Sequence, residues 1–235
     1  MFVLRQFQSK WVRVISILAV TGLLSAFLLF SQELLDGRRS LQVLVRSEVA
    51  ELGVLSREME FPALSPWRKA GPAVDQFLIR SFLDGKSIGR ISQELRRFAG
   101  SWDRSETKGI PMDQWLRDLE ELSEEEHLLD RTEWLFSQET SLSLARLHVS
   151  QGQGAISAGL FESGLVHLLA ALRFSQRAFG WDEQLGRDRE VAFIAGTVLY
   201  FVFDRPSVLR KLQSLDGASI WSVRADRLLN QERRL

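Results

Sequence analysis

The chain has 235 residues, with 30 basic and 30 acidic side chains and no formal net charge, which removes the bulk electrostatic attraction that nucleic-acid binding rests on. It contains no cysteine, so disulfides, thiolate zinc sites, iron–sulfur clusters and a cysteine nucleophile are excluded. An apolar share of 45% and a charged share of 26% belong to a folded chain with a core, not to a disordered one.

Residues 1–10 form a short basic tail, and residues 11–31 read as a transmembrane helix. Val14 to Phe30 is a run of 17 residues without a charge. With Trp11, Val12 and a snorkelling Arg13 it reaches about 20 residues, the length that crosses a hydrocarbon layer of roughly 30 Å. Trp11 stands where an interfacial aromatic is expected. A cleaved signal peptide would have a shorter apolar stretch and a small-x-small cleavage site. Here the run ends in Phe30-Ser31-Gln32-Glu33, so the reading is an uncleaved, single-pass anchor in a lipid bilayer. Arg5, Lys10 and Arg13 precede the span with no acidic residue among them, while Glu33 and Asp36 follow it. The positive-inside rule then puts the N-terminus in the cytoplasm and the remaining domain on the extracytoplasmic side, the periplasm in a bacterium. Gly22 and Ala26 have the small-xxx-small spacing of paired membrane helices, a spacing that is also common by chance.

Residues 32–60 read as a helical stalk. Leu34, Leu41, Val45, Leu52, Leu55 and Met59 make a short heptad-like stripe, interrupted by Glu48 and by Gly37 and Gly53. Such a stripe suits a homo-oligomer formed through residues 34–59, and it equally suits a helix packed on its own domain. Pro62, Pro66 and Pro72 then mark 61–72 as a linker or ordered loop.

From Ala73 onward the apolar spacing is helical throughout, which predicts an all-α fold of antiparallel helix pairs, either a bundle or a solenoid, with subdomains at 73–140 and 141–235. Ile88, Ile91, Leu95 and Phe98 form one stripe, entered after Ser87 and closed by Gly100. Ser123 with Glu126 has the capping-box pattern and predicts the start of a new helix containing Leu128, Leu129 and Trp134. Val191 to Phe203 is uncharged for 13 residues between Glu190 and Asp204; that length predicts a buried core helix and not a second span.

Chemistry-bearing patterns are sparse. His127, His148 and His167 include no i, i+4 pair and no H-E-x-x-H, so no metal ligand is assigned. His167, between Val166 and Leu168, reads as a packed or half-exposed helix residue rather than a ligand. Gly152-Gln153-Gly154 has neither the strand nor the lysine of a phosphate loop, and no G-x-S-x-G occurs. No catalytic or cofactor-binding residue is assigned, and no cofactor is expected. The acidic run Asp118, Glu120, Glu121, Glu124, Glu125 and Glu126 reads as a solvated face. Charge is nevertheless segregated: residues 68–108 carry a net +4 and residues 112–140 a net −8, which predicts either mutual neutralisation across a helix contact or recruitment of a charged partner.

The most informative stretch is Gly152 to Gly180, GQGAISAGLFESGLVHLLAALRFSQRAFG. Gly152, Gly159, Phe161, Gly164, Leu168, Ala171 and Leu172 have the spacing at which small residues let two antiparallel helices approach while larger ones fill the groove. The stretch resembles a tetratricopeptide repeat (TPR). It departs from that pattern at Gln151, where a leucine is usual, at Ala155, where an aromatic is usual, and in having no proline after its second helix. Val191 onward, with Ser207–Leu215, resembles a weaker second unit. The resemblance implies a scaffold whose stacked hairpins bind peptides or partner helices. Together with the anchor and the absence of a catalytic motif, it leads to a membrane-anchored, non-enzymatic adaptor or assembly factor that binds protein partners of a membrane or envelope complex. The alternative is an extracytoplasmic helical sensor or signalling input domain, which would need a second span at 191–203.

Overall fold

The structure is a computed structural model that describes residues 2–58, 72–99, 112–131, 134–178, 185–215 and 219–231. Among these residues it is all-α, with nine helices and no strand: α1 (Phe2–Glu58), α2 (Pro72–Leu83), α3 (Ile88–Ala99), α4 (Met112–Arg131), α5 (Trp134–Ser157), α6 (Phe161–Ala178), α7 (Leu185–Phe203), α8 (Ser207–Leu215) and α9 (Ile220–Gln231). By contacts the chain divides into residues 1–40 and residues 41–235.

The first unit is helical, and every described side chain from Leu18 to Leu29 is exposed. Among the described residues no helix is long and apolar enough to cross a membrane. The described side chains cover only part of the expected span, and those of Trp11, Arg13 and Phe30 lie outside them. Gly22 sits in open space, with nothing within 4 Å of where a Cβ would stand.

The second unit holds the core. Leu41, Val45 and Leu52 of α1 are buried in it, so three residues of the heptad-like stripe are covered by their own domain. The polar interruption is also accommodated. Glu48 accepts hydrogen bonds from Arg205 at 3.0 Å and from Ser207 at 2.6 Å, and Arg205 reaches Glu51 at 3.1 Å. Pro72, the last residue of the expected linker at 61–72, is instead the first residue of α2, where its fixed φ and missing N–H suit a helix start. Residues 61–71 and Gly100 are outside the described residues.

The predicted boundary between 140 and 141 falls inside α5, a continuous helix. The new helix expected at Ser123 also does not form. Helix α4 runs through Ser123 without a break, and Glu126 is spent elsewhere: its carboxylate accepts the Ile88 N–H at 2.6 Å and so closes the start of α3. At that same start Ser87 acts as the cap, its hydroxyl oxygen accepting the Arg90 N–H at 3.3 Å.

Helix α6 is central. Fourteen of its 18 residues are buried, and α2, α4, α5 and α7 pack around it. Helix α7 is likewise enclosed: Val191, Ala192, Ala195, Val198, Leu199 and Val202 are all at 0% exposure, as a core helix requires and a lipid-facing span would not. It ends at Asp204, whose φ of +54° is the left-handed conformation that Asp tolerates better than most residues. Pro206 then prevents continuation.

Candidate functional site

The hairpin of α5 and α6 positions the only buried histidines among the described residues. Its register is set by two glycines. A Cβ added at Gly164 would stand 2.6 Å from Ile156 Cγ1 and 3.0 Å from the Gly152 carbonyl oxygen. One added at Gly152 would meet Leu168 Cγ at 2.9 Å and the Gly164 carbonyl oxygen at 3.1 Å. Only bare backbone allows this approach. Gly159, grouped with them by spacing, has a different place: it lies in the turn at φ +80° with open space around it. There the Leu160 N–H bonds the Ala155 carbonyl at 2.8 Å and the Gly159 N–H the Ile156 carbonyl at 3.0 Å, the double bond of a Schellman cap. Leu168, Ala171 and Leu172 are buried, and Phe161 is half-buried at the start of α6.

Once Gly152 faces Gly164 in an antiparallel hairpin, the residue one turn before the first faces the residue one turn after the second. Those residues are His148 and His167. Their Nδ1 atoms are 3.1 Å apart, and the ring planes differ by 14° with centroids 5.2 Å apart. The centroid distance exceeds the nitrogen distance by about two ring radii, so the rings meet edge to edge with each Nδ1 aimed at the other. That gap holds a hydrogen and is too narrow for a metal ion between the two lone pairs. Among the described residues no group of three or more His, Cys, Asp or Glu is arranged to hold a metal.

Helix α4 lays two carboxylates against the outer nitrogens of the pair. His148 Nε2 is 2.7 Å from Glu125 Oε2, and His167 Nε2 is 3.8 Å from Asp118 Oδ2. Asp118 also accepts hydrogen bonds from the Ser163 hydroxyl and, at 2.8 Å, from Gln114. Gln151 Oε1 lies 3.0 Å from His148 Nδ1, and Phe174 packs beside the His148 ring. Burial is the largest influence on His167 and pushes its pKa below the ordinary imidazole value; Asp118 and Glu125 pull it back up, and His148 pushes it down.

This arrangement corrects the reading of the acidic run as a solvated face. Asp118 and Glu126 are buried, and Glu125 is half-buried. Glu126 also receives Arg173 at 3.3 Å and Arg177 at 3.6 Å from α6, while Arg173 donates to the Phe82 and Lys86 carbonyls at 3.0 and 2.7 Å. Glu120 pairs with Arg96 of α3, so the basic and acidic segments do meet across a helix contact. His127 is exposed and takes no part.

Ser163, Asp118 and His167 carry the residue types of a hydrolytic triad in the wrong order. The hydroxyl donates to the carboxylate and not to an imidazole, and Ser163 is 5% exposed. Nucleophile activation needs the base on the hydroxyl and a path for substrate. The cluster holds hydrogen bonds across three helices; it presents no activated nucleophile. No protein-family model, no curated protein and no solved structure matches the chain.

Proposed function

We propose that the chain is a membrane-tethered, non-enzymatic scaffold or assembly factor. In this reading the N-terminal part of α1 is a single-pass anchor, and residues 41–235 form a TPR-like set of helical hairpins that bind protein partners of a membrane or envelope complex. The α5–α6 hairpin is the clearest unit, α7–α8 the next, and α9 follows.

The observation that carries the proposal is the exposure of the apolar segment in α1. Leu18, Leu23 and Phe27 are 67%, 72% and 69% exposed, and Leu24, Leu28 and Leu29 more than half. Leaving a large apolar side chain in water forgoes about 1.5–3 kcal/mol relative to burying it. A segment of this composition needs apolar cover on every side, and a bilayer supplies it. The 17-residue uncharged run and its basic N-terminal flank support a span with the folded domain on the extracytoplasmic side. The enclosure of α7 counts against the sensor alternative, whose second span would be that helix.

Fractionation tests the anchor. The full chain should stay in the membrane pellet through alkaline carbonate washing, and deletion of residues 11–31 should release it; a full chain found in the supernatant refutes the tether. Photo-crosslinking in membranes from the exposed positions Leu128, Leu147 and Ile220, read by mass spectrometry, tests the scaffold. Recurrent specific proteins are expected, and recovery of none sinks it.

A further inference from the structure

The buried histidine pair is left unused by the scaffold reading, and its contacts bear on where its hydrogens lie. His148 Nε2 faces a carboxylate oxygen at 2.7 Å, so that nitrogen carries a hydrogen; Nδ1 is then the lone-pair atom of the ring, and a half-turn of the Gln151 amide, whose Oε1 stands 3.0 Å away, sets its NH2 group against that lone pair. The 3.1 Å contact between the two Nδ1 atoms then takes its hydrogen from His167. This leaves His167 Nε2 as a bare acceptor. It faces Asp118 Oδ2 at 3.8 Å, too long for a hydrogen bond, as two lone-pair atoms require. The Asp118 carboxylate is meanwhile satisfied by Ser163 and Gln114.

We propose that His167 Nε2 is a proton-binding site through which acidification re-bonds α4 to α6. One proton from solvent settles on that nitrogen. The two rings then carry a single positive charge with three N–H groups, each aimed at an acceptor: Glu125, the partner ring and Asp118. Asp118 turns from the Ser163 hydroxyl to the new N–H.

The groups facing the pair come from every element around it. Helix α4 supplies Asp118 and Glu125, α5 supplies Gln151 beside His148, and α6 supplies Ser163 and Phe174 beside His167. Helices α2 and α7 also pack on α6, and the charges acting on His167 are those of Asp118, His148 and Glu125. Burial opposes uptake and Asp118 favours it, so the site fills below the pH at which a free imidazole does. This inference rests on the α4–α6 geometry and stands or falls separately from the scaffold reading.

Long-range nitrogen–proton NMR of the histidine side chains in the detergent-solubilised full chain tests it. At neutral pH His148 should show the Nε2–H tautomer and His167 the Nδ1–H tautomer. On acidification His167 Nε2 should move to its protonated shift first, with a midpoint below that of free imidazole. Asp118→Asn, which keeps the shape and removes the charge, should lower that midpoint further. An Nε2–H tautomer at His167 at neutral pH overturns the proposal in the unaltered chain, whether or not the variant folds. So does a midpoint above that of free imidazole, or one that Asp118→Asn leaves unmoved.

Discussion

Helix α6 and the segment Leu18–Leu29 of α1 are alike on paper and opposite in surroundings. Both are rich in leucine and alanine with glycine among them. In α6, Leu165, Leu168 and Leu169 are each at 1% exposure, while Leu18, Leu23 and Leu29 exceed 60%. Apolar composition therefore marks a need for cover without saying what provides it. Four neighbouring helices cover α6; the described side chains of residues 18–29 are exposed.

The sharpest way to break this comparison is to put one charge in each place. Leu168→Asp buries an unpaired carboxylate, and the cooperative thermal unfolding transition of the domain should disappear. Leu24→Asp should leave that transition where it is and weaken membrane retention, since a carboxylate at mid-span costs about 2.5–3.5 kcal/mol. Equal melting of the two variants would erase the distinction. Next in size is Arg173→Ala. It takes from Glu126 one of its donors and from the Phe82 and Lys86 carbonyls their shared one, while Ile88 N–H and Arg177 stay on Glu126; a loss of about 1.5–3 kcal/mol is expected, read by denaturant titration. A smaller effect with opposite signs separates two glycines. Gly164→Ala should destabilise the domain by about 1–3 kcal/mol through overpacking against Ile156 and the Gly152 carbonyl. Gly22→Ala meets open space and should favour its helix by about 0.5–1 kcal/mol.

The smallest effect concerns pH. Because burial holds the folded pKa of His167 below that of the unfolded chain, the unfolded state takes up this proton first as pH falls. The stability contributed by the site is complete above about pH 6.5, the free-imidazole value, and is lost as pH falls through the lower folded value. Thermal midpoints measured from pH 7.5 to 5 should decline, and His167→Gln should flatten the decline.

The helices were legible because their signals are local. Ser87 caps α3 as its position implies, and Val191–Phe203, too short to span, is a core helix. Ser123 and Glu126 show the limit of local spacing: the capping-box pattern is present, but a buried carboxylate that can close another helix and meet two arginines gains more from those bonds than from capping its own chain. The histidine site was hidden for a related reason. His148 and His167 are 19 residues apart on different helices, and each alone looks like packing. The signal lay in the glycines: once Gly152 and Gly164 are taken as the point of closest approach, the antiparallel register brings the two imidazoles opposite each other. The carboxylates were not recoverable in this way, since nothing in the acidic run says which of its members turn inward.

The contacts made by the C-terminal half of α1 bear on when the domain can fold. Gln42 bonds Asp188, and Glu48 bonds Arg205 and Ser207, across separations of 146, 157 and 159 residues. During synthesis at about 5–20 residues per second, roughly ten to thirty seconds pass between the emergence of Glu48 and that of its partners. Through that interval Gln42 and Glu48 stand without the side chains that will bond them. Late-made residues complete the hydrogen bonding of one of the first helices, so a nascent chain stopped before α7 leaves Gln42 and Glu48 without these three bonds, and no local rearrangement of α1 can supply them.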